Sequence, residues 1–223
     1  MLVLVEGKGD VRAVGRLVGR LLAEKAAFDC LFLDDEAFKI GSIERLTGNN
    51  RHEWIRLLQA AYRVRSQTAA MLVLLDGDAD AVEGQTFCAM TVARSLAERA
   101  AYVGAGTLFS LACVFAVKEF EAWLIAGIES LAGRNLPDRI SGIRAGVVAP
   151  LNPEQIRDCK GWLRENMQRP YNPTIHQEPM ARLLDLQRLR DRNVRSFMRL
   201  EHAVDELIMA VRSGKHISSP AAR

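Results

Sequence analysis

An open, mainly parallel, Rossmann-like α/β sheet with helices on both faces and an α-helical C-terminal appendage is the architecture that the sequence predicts. Three observations point to it. Short, continuous apolar runs recur along the first half of the chain, as expected of strands buried on both faces. Segments with apolar residues at helical spacing lie between them, the alternation that makes a parallel sheet. Several apolar runs stop abruptly at acidic residues, where a parallel sheet hands the chain to its functional loops.

The elements follow in order. Met1–Val5 reads as the first strand. Asp10 can cap the next segment, where Val11, Val14, Leu17, Val18, Leu21 and Leu22 form an apolar helical stripe. Cys30–Leu33 reads as a second strand, closed by Asp34-Asp35-Glu36, and Asn50–Ser66 as a helix with Trp54, Ile55, Leu58 and Tyr62 on one side. Ala70–Leu75 is the third strand, stopped by Asp76-Gly77-Asp78. A long helix is predicted over Ala79–Ala100, with Phe87, Met90, Thr91 and Leu96 facing inward. Leu108–Val117 is a fourth strand that runs into the helical segment KEFEAWLIAG.

The pattern changes after Gly133. Six of the seven prolines fall between Pro137 and Pro179, and Glu154–Met167, Pro179–Arg190 and Val194–Val211 read as helices without a convincing strand. The expected organisation is therefore an α/β domain over 1–133, a helical appendage over 134–213 and a frayed tail over 214–223.

Composition bounds the function. The 223 residues carry a formal charge of +3, which permits a polyanionic partner without demanding one. The four cysteines form no CxxC pair, so a reducing, cytoplasmic setting is expected. No apolar run approaches a membrane span of roughly 20 residues, and the N-terminus has no basic region before its short apolar stretch. GxxxxGK[ST] is absent, so no ATPase activity is expected.

Acidic groups gather at the predicted strand ends. Glu6 follows the first strand, with Asp10 one helical turn on; Asp76, Asp78 and Asp80 follow the third; Lys118, Glu119 and Glu121 follow the fourth. If those strands are neighbours, the carboxylates converge on one rim and repel each other unless a hard cation neutralises them. Oxygen donors without a nearby His or Cys favour Mg²⁺ or Mn²⁺. Such an ion binds phosphate oxygens and lowers the pKa of a bound water. A helix starting near Ala79 would add its N-terminus to the site. The plainer reading is that Asp-Gly is a turn and that acids after strands are caps. Glu6 and Asp76/Asp78 together favour the metal reading.

Those residues resemble the TOPRIM domain, shared by topoisomerases, primases and the overcoming-lysogenization-defect (OLD) nucleases, in which one Glu follows the first strand and Asp-x-Asp the third. The chain is more fully similar to a bacterial TOPRIM-related family catalogued as a domain of unknown function. The likeness rests on VEGKGD at Val5–Asp10, KEFEAWLIA at Lys118–Ala126 and LLDLQRLRDRNVRSFMRL at Leu183–Leu200. Asn193-Val194-Arg195 departs from the small or Pro-containing sequence expected before the SF pair.

The resemblance implies a Mg²⁺- or Mn²⁺-dependent nucleic-acid phosphodiesterase, with a role in defence against phage. It implies Glu6 as acid/base or ligand, Asp76 and Asp78 as ligands, Asp10 as a second acid, Glu119 or Glu121 at a second metal position, and Lys118 stabilising phosphate charge. Asp80 is either an outer ligand or a first-turn acid. The alternative function is a non-catalytic subunit partnering an AAA-type ATPase. A haloacid-dehalogenase-like phosphatase fits poorly, because it leaves Glu6 unexplained.

Arg12 and Arg16, with Arg20, form a row that is either a phosphate-tracking stripe or a solvated face. Arg188, Arg192 and Arg195 sit in a denser basic segment that is either a contact with a nucleic-acid backbone or a solvated surface. DNA or RNA is the expected partner, and a homodimer is compatible with the sequence. His176 reads as a polar loop residue, and Trp54, Trp123 and Trp162 as core.

Overall fold

The structure is a computed structural model and describes residues 1–34, 36–48, 51–64 and 68–221. Of the expectations above, Asp35, the ends of the helix predicted over Asn50–Ser66, and Ala222–Arg223 lie wholly or partly outside those residues. The described elements are β1 (Leu2–Val5), α1 (Lys8–Glu24), β2 (Phe38–Lys39), α2 (Arg51–Val64), β3 (Ala70–Gly77), β4 (Ala81–Val82) and β5 (Gln85–Thr86). They continue through α3 (Ala89–Ala100), β6 (Ser110–Val117), α4 (Glu121–Ala126), α5 (Cys159–Asn166), α6 (Pro173–Leu183), α7 (Leu186–Asp191), α8 (Arg195–Ser213) and β7 (Ser218–Ser219).

Five strands form one parallel sheet in the order β2-β1-β3-β6-β7. The first crossover places β2 on one side of β1, and the later strands build outward on the other side. This is the doubly wound arrangement, whose strand order reverses between β1 and β3.

Alternation along each strand separates two apolar layers. Val3, Val5, Leu72, Leu74, Ala112 and Val114 pack with α1, α4, α6 and α8. Leu2, Leu4, Met71, Val73, Leu75, Leu111, Cys113 and Phe115 pack with α2 and α3. Period-2 burial on both faces is why the strands read as unbroken apolar runs. The six inward residues of α1 (Ala13, Val14, Leu17, Val18, Leu21, Leu22) are fully buried. Each large one contributes roughly 1.5–3 kcal/mol of transfer free energy. The helices after residue 133 join the same layer, since Met180, Ala181, Phe197, Leu200, Val204 and Leu207 share a core with α1 and the sheet.

Four local expectations are corrected. The second strand is not Cys30–Leu33: that segment is a turn and extended chain held by Asp34 N–H donating to Met1 O at 2.8 Å, and β2 forms only at Phe38–Lys39. The helix expected from Ala79 begins at Ala89. A β4–β5 hairpin precedes it, turning at Glu83 and Gly84, both at positive φ (54° and 76°). Met90 and Thr91 are consequently exposed, while Val92, Ala93, Leu96 and Ala97 face the core. The apparent helix over Pro179–Arg190 is two helices, α6 and α7, broken at Leu184. The tail is not all frayed, because Ser218 and Ser219 pair with Leu111 and Ala112 as the outer strand. Among the described residues, no helix is long and apolar enough to cross a membrane.

Candidate functional site

The carboxyl ends of β1 and β3 meet at the reversal point of the sheet. Val5 pairs with Leu74, so Glu6 emerges beside Asp76. Glu6 Oε2 accepts a hydrogen bond from the Asp76 N–H at 3.3 Å. Asp76 Oδ1 in turn accepts from the Phe120 N–H at 2.8 Å, tying β3 to the turn after β6. Asp10 Oδ2 accepts from the Gly7 N–H at 2.8 Å. Asp10 is therefore not the residue that opens α1. Gly7 is the N-cap, and Asp10, in the first turn, reaches back to it.

Gly77 lets β3 and β6 stay close. A Cβ there would lie 2.7 Å from the Ala116 carbonyl oxygen and 3.3 Å from the Phe87 ring. The Asp-Gly-Asp sequence is thus a strand end with a close backbone approach, and β3 continues through Asp76-Gly77.

Behind this pair lies a second carboxylate group. Lys118 takes a left-handed conformation (φ 65°) that turns the chain after β6 and delivers Glu119 and Glu121 inward, 8% and 0% exposed. Glu119 Oε2 accepts from the Cys159 N–H at 3.1 Å, and Glu119 Oε1 accepts from the Lys160 ammonium. Glu121 Oε1 accepts from Tyr171 Oη at 3.1 Å and from Gln177 Nε2 at 2.9 Å. Glu121 Oε2 accepts no hydrogen bond and lies 3.6 Å from Lys160 Nζ. Gln177 Oε1 is likewise buried without a donor. It faces Gly9, where a Cβ would come within 2.2 Å of it.

Crowding of acids raises their proton affinity. Glu6 is pushed up to about 7 by burial, opposed by the Asp76 N–H and reinforced by the Asp78, Asp10 and Glu44 charges. Asp76 is held well above the usual carboxylate range by burial, with Asp10, Glu121 and Glu6 adding to it. Glu121 is raised by burial, with Lys160 acting against that rise. Lys160 is shifted upward: burial opposes its charge, but Glu121, Glu119 and Asp76 outweigh that penalty.

The donor set suits a hard divalent cation. Glu6, Asp76 and Asp10 offer only carboxylate oxygens, and each is fixed by one oxygen on a backbone N–H. The neighbouring Cys159 thiol is pushed up to about 12, chiefly by burial, and so presents no thiolate. Among the described residues, no three His, Cys, Asp or Glu side chains already stand in a metal-ligating arrangement. A metal would therefore need Glu6, Asp76 and Asp10 to turn from their present arrangement on backbone N–H groups towards a common point.

The remaining expected residues are placed less centrally. Asp78 and Asp80 are exposed. The Asp78 charge acts on Glu6, whereas Asp80 uses its carbonyl to accept from Phe87 N–H at 3.1 Å in the hairpin. No helix N-terminus follows Asp80, because α3 starts nine residues later. Arg12 is exposed on α1, while Arg16 pairs with Glu178 at 3.1 Å. Arg20 caps the end of α6 by donating to Ala181 O and Leu184 O. Arg188 lies 3.8 Å from Asp185 and 3.9 Å from Glu129, and Arg192 binds Glu129 at 2.6 Å and Ala126 O at 2.6 Å. Arg195 is exposed at the start of α8.

His176 is not in a loop. It lies within α6, 4% exposed, with Nδ1 accepting from the Asn172 N–H at 2.9 Å and its ring stacked on Tyr171. Trp54 and Trp123 are fully buried, and Trp162 partly so.

Sequence reasoning missed Lys160, Tyr171 and Gln177. Each is a single polar residue on a different helical or connecting segment, and only the fold brings them to Glu121. The nearest signal was that Glu121 stands in an otherwise apolar helix and so needs buried partners.

The distant motifs also meet in space. Trp123 Nε1 donates to Ser196 Oγ at 2.7 Å, and the Trp123 and Phe197 rings pack edge to face at 5.8 Å. Ser196 Oγ and N–H both donate to Glu154 Oε1. A family model described as a domain of unknown function, DUF4276, matches residues 5–205. The chain belongs to the DUF4276 family. No curated protein and no solved structure matches the chain. The DUF4276 match thus takes in Glu6, Asp76, Glu121, Lys160 and the Trp123–Ser196 contact within one span.

Proposed function

We propose that this DUF4276 protein is a Mg²⁺- or Mn²⁺-dependent nucleic-acid phosphodiesterase of endonuclease type, built on a TOPRIM-like site related to that of the OLD nucleases. The contact that carries the reading is Glu6 on Asp76, two acids at the carboxyl ends of the strands that flank the sheet's reversal point. Doubly wound sheets bind anionic ligands at that point, and two acids there need a cation before a phosphate can approach.

Asp76, Glu6 and Asp10, with Asp78 at the exposed side, would hold the ion. When bound, it would supply neutralisation of phosphate oxygens and acidification of a coordinated water. Glu6 would take one of two roles, ligand or acid/base; as acid/base it would leave the ion to Asp76, Asp10 and Asp78, accept a proton from the attacking water and return it to the leaving oxygen. In this reading Lys118 would offset phosphate charge, and Arg12 and Arg195 would contact flanking phosphates. Phage defence is the biological setting we infer from the same resemblance.

The test is incubation of purified protein with single- and double-stranded DNA and RNA in Mn²⁺, Mg²⁺ or EDTA. Metal-dependent cleavage is expected, with Glu6→Gln and Asp76→Asn each lowering it by about 100-fold or more while the far-ultraviolet circular dichroism is unchanged. Full cleavage by either variant, or none by the parent protein on any substrate, would remove the proposal.

A further inference from the structure

The inner carboxylates raise the question of whether a second divalent ion belongs there. Glu119 and Glu121 are both buried, yet their charge is not left for a metal. Lys160, from the first turn of α5, donates to Glu119 Oε1 and stands 3.6 Å from Glu121 Oε2. Its side chain is 37% exposed while those of Glu119 and Glu121 are 11% and 1% exposed, so the ammonium enters from the solvent side and closes over them.

The remaining contacts are also those of a filled site. Tyr171 Oη and Gln177 Nε2 satisfy Glu121 Oε1, and the Cys159 N–H satisfies Glu119 Oε2. The oxygen left over, Glu121 Oε2, is buried without a hydrogen bond and faces Lys160. A divalent ion could reach that oxygen only by displacing the ammonium. Among the described residues, Glu6 and Asp76 make no ion pair of this kind: their hydrogen-bond partners are backbone N–H groups, and the Lys160 charge acts on Asp76 from a distance, after its effects on Glu121 and Glu119.

We propose that Lys160 is a built-in cation that fills the second metal position, so that the centre takes one divalent ion, at Glu6 and Asp76, and keeps Glu119 and Glu121 as an ammonium-bound pair. The inference rests on the metal reading of the outer pair. It makes Lys160 a positioning residue: it holds Glu121, and through Glu119 it holds the start of α5, against the turn that also anchors Asp76 through Phe120.

The test counts ions. Mn²⁺ is titrated into the metal-free full chain by calorimetry, and bound Mn²⁺ is examined by electron paramagnetic resonance. Two ions held ~3.5–4 Å apart couple magnetically, whereas one gives an uncoupled six-line spectrum. The parent protein is expected to bind one Mn²⁺ with an uncoupled spectrum. Lys160→Met, which keeps the stem and removes the charge, is expected to bind two with a coupled spectrum. Lys160→Arg restores the charge and is expected to return the count to one.

Two ions in the parent protein would overturn the proposal, as would a Lys160→Met variant that folds and still binds one. No Mn²⁺ binding by the parent protein would remove the metal reading beneath it. Asp76→Asn separates the two failures: loss of the single ion there, with one ion bound again in the Asp76→Asn, Lys160→Met double variant, places the Lys160 position apart from the outer one. If Lys160→Met does not fold, the parent protein's count and spectrum still decide, since a coupled pair sinks the inference and a single uncoupled ion supports it.

Discussion

The Glu6 carboxylate accepts a hydrogen bond from the backbone N–H of Asp76, 3.3 Å away, so an acid at the end of β1 is held by the peptide of another acid at the end of β3. The bond fixes the Glu6 side chain but does not neutralise it. Its charge stays close to those of Asp76, Asp10 and Asp78, partly out of water. The site is thus ordered by the backbone and strained by its charges, a combination that makes its behaviour depend on protons and cations.

The first consequence is a pH dependence of stability in the metal-free protein. Glu6 has a pKa of about 7 when folded against an ordinary value of 4.5. Between those values the folded state keeps its proton while the unfolded state has released it, so stability falls as pH rises through that window. The contribution is complete below pH 4.5 and gone above about 7. Asp76 and Glu121, also shifted upward, act in the same direction. Melting temperatures in EDTA from pH 4.5 to 8.5 are expected to decline less steeply in Glu6→Gln than in the parent protein. Parallel curves would show that Glu6 is not the strained acid described here.

Cation binding should reverse that loss. A ligand bound only to the folded state stabilises it by about 2.7 kcal/mol at one hundred times its dissociation constant. Protons compete for the same carboxylates. Mg²⁺ or Mn²⁺ is therefore expected to raise the melting temperature by several degrees at pH 8 and by much less at pH 5.5. Asp76→Asn retains an oxygen to accept the Phe120 N–H, and should remain folded but show no metal-induced rise. A rise of equal size in Asp76→Asn would place the ion elsewhere.

Gly9 offers a test of the packing under the site. It lies in the first turn of α1, where alanine would ordinarily favour the helix by about 1 kcal/mol. A Cβ here would come within 2.2 Å of Gln177 Oε1 and 2.9 Å of Pro173 Cβ, so α6 must move or Gln177 must leave Glu121. Gly9→Ala is expected to cost roughly 1–3 kcal/mol net in urea unfolding, as overpacking does. A stabilised variant would mean that α1 and α6 do not approach this closely.

The outer part of the site was legible in the sequence because strand ends are local: Glu6 and Asp76 each follow an apolar run whose period gives away its burial. The inner part was not. Lys160, Tyr171 and Gln177 lie 39, 50 and 56 residues beyond Glu121 in the chain, and nothing local marks them as its neighbours. The helix read from Ala79 failed for a different reason. Ala79–Val82 has helix-compatible residues, but Glu83-Gly84 provides two successive positive-φ positions and the chain folds into a hairpin first. The two-residue strand β7 has too few residues to show any period. Its place depends on the free edge of β6.

That edge supports a last expectation. β7 covers the amino-terminal half of β6: Leu111 N–H donates to Ile217 O at 2.8 Å, and Ile217 N–H donates to Ser110 Oγ at 3.2 Å. Ser219 Oγ donates to Glu206 at 2.6 Å and accepts from Arg199 at 2.7 Å, fastening the strand to α8. Ending the chain at Gly214 would leave the start of β6 as an open sheet edge, and four such bonds at about 1 kcal/mol each put the cost near 3–4 kcal/mol. Open edges also pair between molecules. The truncated chain is expected to unfold at lower urea and to show concentration-dependent association by light scattering. Its Mn²⁺ affinity should persist while it is folded, because Glu6 and Asp76 stand at the opposite, carboxyl end of the sheet. Loss of Mn²⁺ binding in a truncated chain that remains folded would show that the two ends of the sheet are coupled, against the arrangement argued here.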